Sequence, residues 1–143
     1  MSEPSQQRRK SYEQECPMAA ALDVIGDRWT PLLLRELLGG PARFQDLLAG
    51  LPGVARNLLT TRLRRLEEDA MVERVPVHGV VLYRLTARGE TVRPVLETLG
   101  FWGATLSPVS PPKHRRSLRA IAMALQAVVG RAGARLPPRH MRV

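Results

Sequence analysis

Five polar side chains share one side of a helix predicted for residues 55–69. The apolar side of this helix carries Leu59, Leu63 and Leu66, spaced by four and three residues as in a helix that packs one face on a core. The polar side carries Arg56, Asn57, Thr60, Thr61 and Arg64. Arginine reaches guanine O6 and N7, asparagine reaches adenine, and threonine offers thymine a hydroxyl and a methyl group. The pattern therefore predicts contact with the base edges of DNA.

The charge of the same helix is divided along its length. Residues 56–65 contain four arginines and no acid, and the acidic run Glu67, Glu68 and Asp69 follows directly. A helix face that is only solvated usually mixes both signs, so this division favours an anionic partner for the first half. We expect Arg62 and Arg65, together with Arg43 upstream, to hold phosphates.

The other residues that could do chemistry form no enzyme or metal pattern. The three histidines, His78, His114 and His140, are scattered along the chain, and Cys16 is the only cysteine. A structural zinc site and an internal disulfide are therefore excluded. We find no Ser-His-Asp set, glycine-rich phosphate loop or paired carboxylates. The sequence predicts a protein that is not an enzyme and needs no metal or other cofactor.

Length and charge distribution indicate one soluble domain with a basic extension. The 143 residues are 44% hydrophobic and 24% charged, which suffices to bury a core. Of the net charge of +9, residues 106–143 contribute eight Lys and Arg and no acid. No apolar stretch approaches the roughly 20 residues of a membrane span, and the N-terminus is polar. We therefore predict a cytoplasmic protein without a membrane partner.

Local patterns predict a mainly helical fold with one β-hairpin. The predicted elements are helices at 18–25, 28–38, 44–50 and 55–69, then strands at 71–75 and 81–85. Asp27 is placed to cap the second helix. Two short helices joined by a tight turn and followed by a hairpin form a winged helix-turn-helix. The loop at 76–80 would be the wing, with His78 as its polar tip in contact with DNA.

Further elements are expected on both sides of this unit. We read residues 1–15 as a mobile arm and 16–106 as the DNA-binding and dimerisation domain, which ends in a helix at 87–102 with a kink at Pro94. Residues 107–143 would form a Pro-rich linker, an extra C-terminal amphipathic helix and a basic tail. This last helix carries an apolar stripe of Leu118, Ile121, Ala122, Leu125, Val128, Val129 and Ala132, with small residues on the opposite side. We expect it to pack on the dimer, with one face against a partner subunit and the other against a ligand or a second helix. The alternative places the basic side chains at its start, Lys113, Arg115, Arg116 and Arg119, over the DNA backbone.

Several short motifs occur in an order that resembles one family of regulators. They are Cys16-Pro17, LDVIGDRW at 22–29, Leu33 with Arg35-Glu36-Leu37, Gly40 with Arg43-Phe44 and Leu47, Leu51-Pro52-Gly53, Leu59-Thr60 with Arg62-Leu63 and Leu66-Glu67, Val72-Glu73-Arg74, and Tyr83 with Leu85-Thr86 and Gly89. Over about residues 16–103 the chain resembles the HxlR-type bacterial winged-helix transcription regulators. Its wing carries less charge than is usual there, and residues from about 107 onward lie outside the family pattern.

The resemblance implies a homodimer that binds double-stranded DNA at a pseudo-palindromic operator. The helix at 55–69 would lie in the major groove and the wing beside the minor groove. The first helix and the helix after the wing would form the dimer interface. We predict a sequence-specific transcriptional regulator that acts as a repressor. The alternative is a winged helix that binds other proteins and no DNA.

The sequence leaves two alternatives for the signal that releases such a regulator from DNA. By the resemblance, Cys16 aligns with a cysteine that acts as a redox or electrophile switch in some relatives. A helix N-terminus favours a thiolate, whereas Glu13 and Glu15 just upstream oppose it, and a lone cysteine is often only a small packed residue. The other possibility is a small apolar inducer held between two subunits, with the last helix as a lid.

Overall fold

The computed structural model describes residues 11–106 and 118–134. In order, its elements are α1 Pro17–Ile25, α2 Thr30–Leu38, α3 Phe44–Gly50, α4 Arg56–Glu68, β1 Val72–Val77, β2 Val80–Leu85, α5 Ala87–Glu90, α6 Arg93–Leu106 and α7 Leu118–Ala134. This order confirms the predicted winged helix-turn-helix with an extra C-terminal helix. Most of the predicted arm, the Pro-rich linker and the basic tail lie outside the described residues.

Helix α2 is the central helix of the core. Its side chains Leu33, Leu34 and Leu37 are at most 2% exposed. The helix begins at Thr30, two residues later than predicted, because Asp27 Oδ1 accepts hydrogen bonds from the backbone N–H groups of Trp29 (2.9 Å) and Thr30 (3.0 Å). Trp29, and not the predicted Asp27, is thus the N-cap residue, but the Asp27 carboxylate still accepts from two backbone N–H groups at the start of the helix.

Helices α3 and α4 form the helix-turn-helix. The predicted apolar residues of α4 are all in the core with Leu47 and Leu51: Leu59, Leu63 and Leu66. Between the two helices Gly53 has a φ of 92°, a left-handed conformation that glycine adopts without steric cost. The turn of the helix-turn-helix therefore lies at Gly53, between two helices whose leucines are buried.

The wing is tighter than the sequence predicted. We expected a loop over residues 76–80, but β1 and β2 pair up to Val77 and Val80, leaving a turn of His78 and Gly79 only. Both turn residues have positive φ, 47° and 79°, as in the two-residue turns that match strand twist. Pro76 is tolerated inside β1 because a two-stranded sheet has only edge strands.

The hairpin is joined to the helix-turn-helix at several points. Ala42 and Tyr83 exchange two backbone hydrogen bonds (2.9 and 2.7 Å), so the link between α2 and α3 pairs with β2. Arg74 Nε of β1 lies 2.7 Å from Glu67 Oε1 of α4. At the base of the hairpin, the hydroxyl of Thr86 donates to Ala70 O (2.6 Å). These contacts fix the wing relative to α4.

The helix predicted for residues 87–102 is divided in two. Thr86 caps the first part as predicted, since its Oγ1 accepts from Gly89 N (3.0 Å). However, α5 ends at Glu90 and α6 begins at Arg93, with Pro94 in its first turn. Proline lacks an N–H group and clashes with the carbonyl four residues earlier, which is that of Glu90. The result is a break before Pro94 instead of a kink within one helix.

Helix α7 packs on α2 through the face opposite to its stripe of large apolar residues. Its buried residues are Met123 and Ala127, whereas the large apolar stripe faces outward. The α7 backbone comes close to the end of α2, so only glycine fits at position 39: a Cβ on Gly39 would lie 2.9 Å from Arg119 Cα. Arg119 also donates to the carbonyls of Gly40 and Pro41 at the end of α2. Among the described helices none is long and apolar enough to cross a bilayer.

Candidate DNA-binding surface

The outward face of α4 carries most of the predicted base-reading residues. Arg56, Asn57, Thr60 and Arg64 are exposed, on the side opposite to the buried leucines of the same helix. Thr61 is half-buried and turns towards α1. Four of the five predicted side chains therefore share one accessible surface, and the fifth lies at its border.

Two threonine hydroxyls on α4 are already engaged by their own helix. Thr60 Oγ1 donates to Arg56 O and Thr61 Oγ1 donates to Asn57 O, each with a donor–acceptor distance of 3.0 Å. Their protons are used, so each hydroxyl oxygen is left to accept a hydrogen bond. The side chains are also held in one rotamer by these bonds. Thr60 therefore presents an acceptor and a methyl group, which suits an amino group or a thymine methyl.

The two arginines on this face are held differently. The guanidinium of Arg56 lies 5.3 Å from the centre of the Phe44 ring and makes a long hydrogen bond of 3.5 Å to Gln45 Oε1. Arg56 is thus pre-positioned at the junction of α3 and α4. Arg64 is exposed and makes no ion pair or hydrogen bond within the described residues. Its five donors are available to a ligand.

Arg62 departs from the prediction of a phosphate contact. Its Nε lies 3.2 Å from Asp27 Oδ1, and the two side chains are only 20% and 26% exposed. Because Asp27 and Arg62 are 35 positions apart, helical periodicity could not reveal this ion pair. The side chain points back into the protein, where its charge is neutralised. Arg62 therefore leaves the candidate surface and joins α4 to the start of α2.

The carboxylate of Asp27 is held in its charged form. Burial alone would raise its pKa, but the hydrogen bonds from the Thr30 side chain and from the backbone of Trp29 and Thr30, with the charge of Arg62, lower the pKa below the ordinary value of 3.8. One carboxylate thus serves both as a helix cap and as the counter-ion of the recognition helix.

The remaining predicted contacts lie around α4. Arg43 is exposed at the start of α3, where its backbone N–H donates to Asp46 Oδ2 (3.0 Å). His78 is exposed at the tip of the wing. Arg65 is half-buried and faces a cavity instead of the outer face. Within the described residues, no cluster of His, Cys, Asp or Glu could hold a metal ion.

A cavity of about 700 Å³ lies between the N-terminal segment, α1 and α4. Its walls combine apolar side chains such as Leu22 and Leu58 with charged ones such as Asp23 and Arg65. Asp23 of α1 accepts hydrogen bonds from Ser11 Oγ and from Tyr12 N, each at 3.0 Å, and so holds the N-terminal segment against α1. The end of the predicted mobile arm is therefore attached. No described α7 residue lines this cavity, so it is distinct from the inducer site predicted between two subunits, where the lid stays a prediction.

Cys16 is exposed at the N-cap position of α1. Its backbone carbonyl accepts from Ala20 N (3.0 Å), and no side chain caps the helix at this end. The thiol is therefore accessible to reagents and lies beside unpaired N–H groups of the first turn. The structure gives it no packing role in the described chain, unlike the small packed residue considered from the sequence.

The chain is similar to known regulators over the helix-turn-helix and the hairpin. The sequence profile of the HxlR-like helix-turn-helix family matches residues 24–111. The HTH-type transcriptional regulator YybR of Bacillus subtilis is 36% identical over 91 residues, which is 62% of this chain and 73% of that relative. The redox regulator HypR in its oxidized form superposes with a TM-score of 0.62 at 34% identity, covering 66% of this chain and all of HypR.

A second solved structure adds a ligand-bound relative. It is the quinone-bound YodB of B. subtilis, with a TM-score of 0.57 at 32% identity over 64% of this chain and 99% of that one. The profile match spans more than half of the chain, and it contains both helices of the helix-turn-helix and the whole hairpin described above. The protein therefore belongs to the HxlR-like helix-turn-helix family of transcriptional regulators.

Proposed function

We propose that the protein is a sequence-specific repressor that binds double-stranded DNA as a homodimer through α4. The observation that carries this proposal is the outward face of α4, where Arg64 is exposed with no partner among the described residues and Arg56 is pre-positioned over Phe44 at the start of the helix. An unpaired arginine on a helix that projects from a helix-turn-helix has the donors needed for guanine O6 and N7.

Within this proposal the contacts divide into base readers and phosphate holders. Arg56, Asn57, Thr60 and Arg64 face the base edges, and Thr61 flanks them. Arg43 holds a phosphate at the start of α3, Arg65 lies at the inner border of the surface, and His78 approaches the minor groove from the wing tip. Base contacts decide sequence preference, whereas phosphate contacts act on all sequences alike.

The decisive experiment compares two arginines of equal charge. Genomic fragments retained by the purified protein are sequenced to define the operator, and affinity is then measured by fluorescence anisotropy. Arg64→Ala should weaken operator binding by about 1–3 kcal/mol, or roughly 10- to 100-fold, and relax one base position. Arg88→Ala removes the same charge from α5, at the end of the hairpin away from the tip, and should change little. Parental affinity in Arg64→Ala would refute the assignment.

The homodimer is proposed from exposed apolar side chains on α1 and α6. Met18 and Leu22 on α1 and Leu99 and Trp102 on α6 face outward, although they are large and apolar. Val92, just before α6, and Leu96 on α6 pack in the core of their own chain and are not available to a partner. Sedimentation should show a dimer at micromolar concentration, and the operator should hold two half-sites one helical turn or a multiple apart. A stable monomer would contradict the proposal.

Two release signals are compatible with this dimer. The relatives named above include a redox regulator and a quinone-bound regulator, and Cys16 is the exposed thiol of this chain. Oxidation would join the Cys16 thiols of two subunits, or Cys16 and a small thiol, in a disulfide, while the oxidant takes up two electrons and two protons. Oxidant should then release DNA from the parent but not from Cys16→Ser. Equal release from both proteins would exclude Cys16 as the sensor.

The cavity beside α4 is the proposed site of a small, partly apolar inducer. A molecule held there would touch the inner side of the recognition helix at Leu58 and Thr61. Leu58→Trp would fill much of the space, so it should abolish the response to inducer while operator binding persists. If Leu58→Trp responds like the parent, the inducer binds elsewhere.

The alternative of a winged helix that binds only proteins has a direct test. Such a module should not shift any genomic DNA fragment in a gel at low salt. A shift that is lost in Arg64→Ala and kept in Arg88→Ala would exclude it. Transcription from a promoter carrying the operator should rise when the protein is removed, and a fall would make it an activator.

A further inference from the structure

Helix α7 is apolar on two opposite faces, and only one of them is covered by its own domain. Met123 and Ala127 are buried against the domain. On the other side Leu125, Val128 and Val129 are 61%, 57% and 68% exposed. A helix that is apolar all round is normally buried all round, because each large apolar side chain left in water forfeits about 1.5–3 kcal/mol. The outward face therefore requires a partner.

The outward residues have the spacing of a helix-pairing seam. We call seam the five outward positions that follow one another at intervals of three, four, three and four: Leu118, Ile121, Leu125, Val128 and Ala132. These intervals are the a and d pattern of paired helices, and the exposed Val129 at the e position widens the apolar surface beside them. The arrangement is nearly symmetric about Leu125, so two copies of the seam match each other in either relative direction.

Both charged side chains of α7 within residues 118–132 are directed away from the seam. Arg119 donates to the carbonyls of Gly40 and Pro41 in the same domain. The guanidinium of Arg131 lies 3.5 Å from the centre of the Phe101 ring on α6. The seam therefore presents no charge, which favours an apolar partner and offers nothing to phosphates or anionic lipids.

The rest of this chain has no segment that could cover the seam. Residues 1–10, 107–117 and 135–143 are rich in Pro, Lys and Arg, and their large apolar residues are only Met1, Val109, Leu136, Met141 and Val143. Of these residues only Leu136 and Val143 are at a helical spacing, seven residues apart, so they form no continuous apolar stripe. A second copy of the chain, by contrast, supplies an identical uncharged seam.

Helix α7 contacts α6 through side chains that lie off the seam. Arg93 Nη1 of α6 donates to Gln126 Oε1 of α7 (2.9 Å), and Arg131 covers Phe101 farther along α6. The exposed apolar residues of α6 are few for an interface of standard size, which involves about 20–30 residues a side. We propose that α7 pairs with α7 of a second copy through the seam, adding a self-association surface outside the helix-turn-helix.

Two glutamate substitutions on α7 provide the first test of the proposal. Leu125→Glu places a charge at the centre of the seam, whereas Ala124→Glu, the matched control, places it at an exposed position off the seam. In sedimentation equilibrium of the full chain, Leu125→Glu should raise a dissociation constant of self-association at least about tenfold, because a buried unpaired charge is costly. Ala124→Glu should leave it unchanged. Circular dichroism should show equal helix content in both.

A cross-linking experiment makes the test independent of folding. In a Cys16→Ser background, Leu125→Cys is the only thiol, so any disulfide joins two chains. Diamide, which takes up the two electrons and two protons, should link Leu125→Cys rapidly and Ala124→Cys poorly, since a disulfide needs Cα atoms within about 7 Å. Equal and slow linking of both, or parental association in Leu125→Glu, would overturn the proposal and indicate a different partner.

Discussion

The ion pair between Asp27 and Arg62 makes a prediction that separates stability from DNA binding. If Arg62 serves the fold, removing it should lower the free energy of unfolding and leave the salt dependence of DNA binding unchanged. If it held a phosphate, the slope of log K against log salt would flatten by about 0.9 per lost contact, or about 1.8 for a dimer. Arg43→Ala, which changes an exposed arginine, serves as the positive control for the slope.

The magnitude follows from the geometry of the pair. Exposed ion pairs are worth about 0.2–1 kcal/mol, and breaking fully buried ones costs about 3–5 kcal/mol. The side chains are 20% and 26% exposed and 3.2 Å apart, so a coupling energy of about 1–2 kcal/mol is expected between Asp27 and Arg62. Asp27→Asn keeps the capping oxygen, whereas Asp27→Ala also loses the cap and should cost about 1 kcal/mol more.

The same pair sets a pH dependence. Folding lowers the pKa of Asp27 below 3.8, so the folded state holds the carboxylate more strongly than the unfolded chain does. Its contribution is therefore complete at pH above 3.8 and is lost as the pH falls through the lower folded pKa. The stability difference between the parent and Asp27→Asn should be constant from neutral pH down to about pH 5 and shrink below 3.8.

Urea denaturation of the parent, Asp27→Asn, Arg62→Met and the double variant gives the coupling energy directly. Salt titrations of operator binding on the same proteins give the slopes. A coupling near zero together with a flattened slope in Arg62→Met would refute the assignment of Arg62 to the fold. That result would return Arg62 to the phosphate-binding set.

Three further substitutions test the packing, each by urea denaturation. Leu63→Ala, at a residue 1% exposed, should destabilise the fold by about 2–5 kcal/mol, and a cost below 1 kcal/mol would mean that α4 is not anchored by the core. Gly79→Ala strains a φ of 79° in open space and should cost only about 1 kcal/mol. Gly89→Ala should cost more than Gly79→Ala, because its Cβ would lie 2.0 Å from Met71 O, and the reverse order would contradict this packing.

Elements whose signal is local could be predicted from the sequence. Helix α3 was predicted at its observed bounds, and α4 to within one residue, because the leucines recur at helical spacing and a Pro-Gly turn lies between the two helices. The cap of Thr86 was also predictable, since it depends on residues within one turn. The outward face of α4 followed from the same periodicity.

Features decided by distant parts of the chain could not be predicted. The orientation of Arg62 depends on Asp27, and the packing face of α7 depends on how closely Gly39 lets the two helices approach. Hydrophobic periodicity identified the apolar stripe of α7 but could not show which face of the helix packs on α2. For Arg62, the run of four arginines without an acid gave no sign that one of them would pair with a carboxylate inside the protein.

The attachment of the hairpin to the helix-turn-helix limits how a signal can act. Ala42–Tyr83 pairing, the Glu67–Arg74 ion pair and the Thr86 contact fix the wing tip and α4 as one unit. In the proposed dimer, the spacing and twist between two such units must match half-sites on the duplex. In such a dimer an effector would lower affinity by changing the register between the two subunits along the DNA, because each wing and its α4 move together.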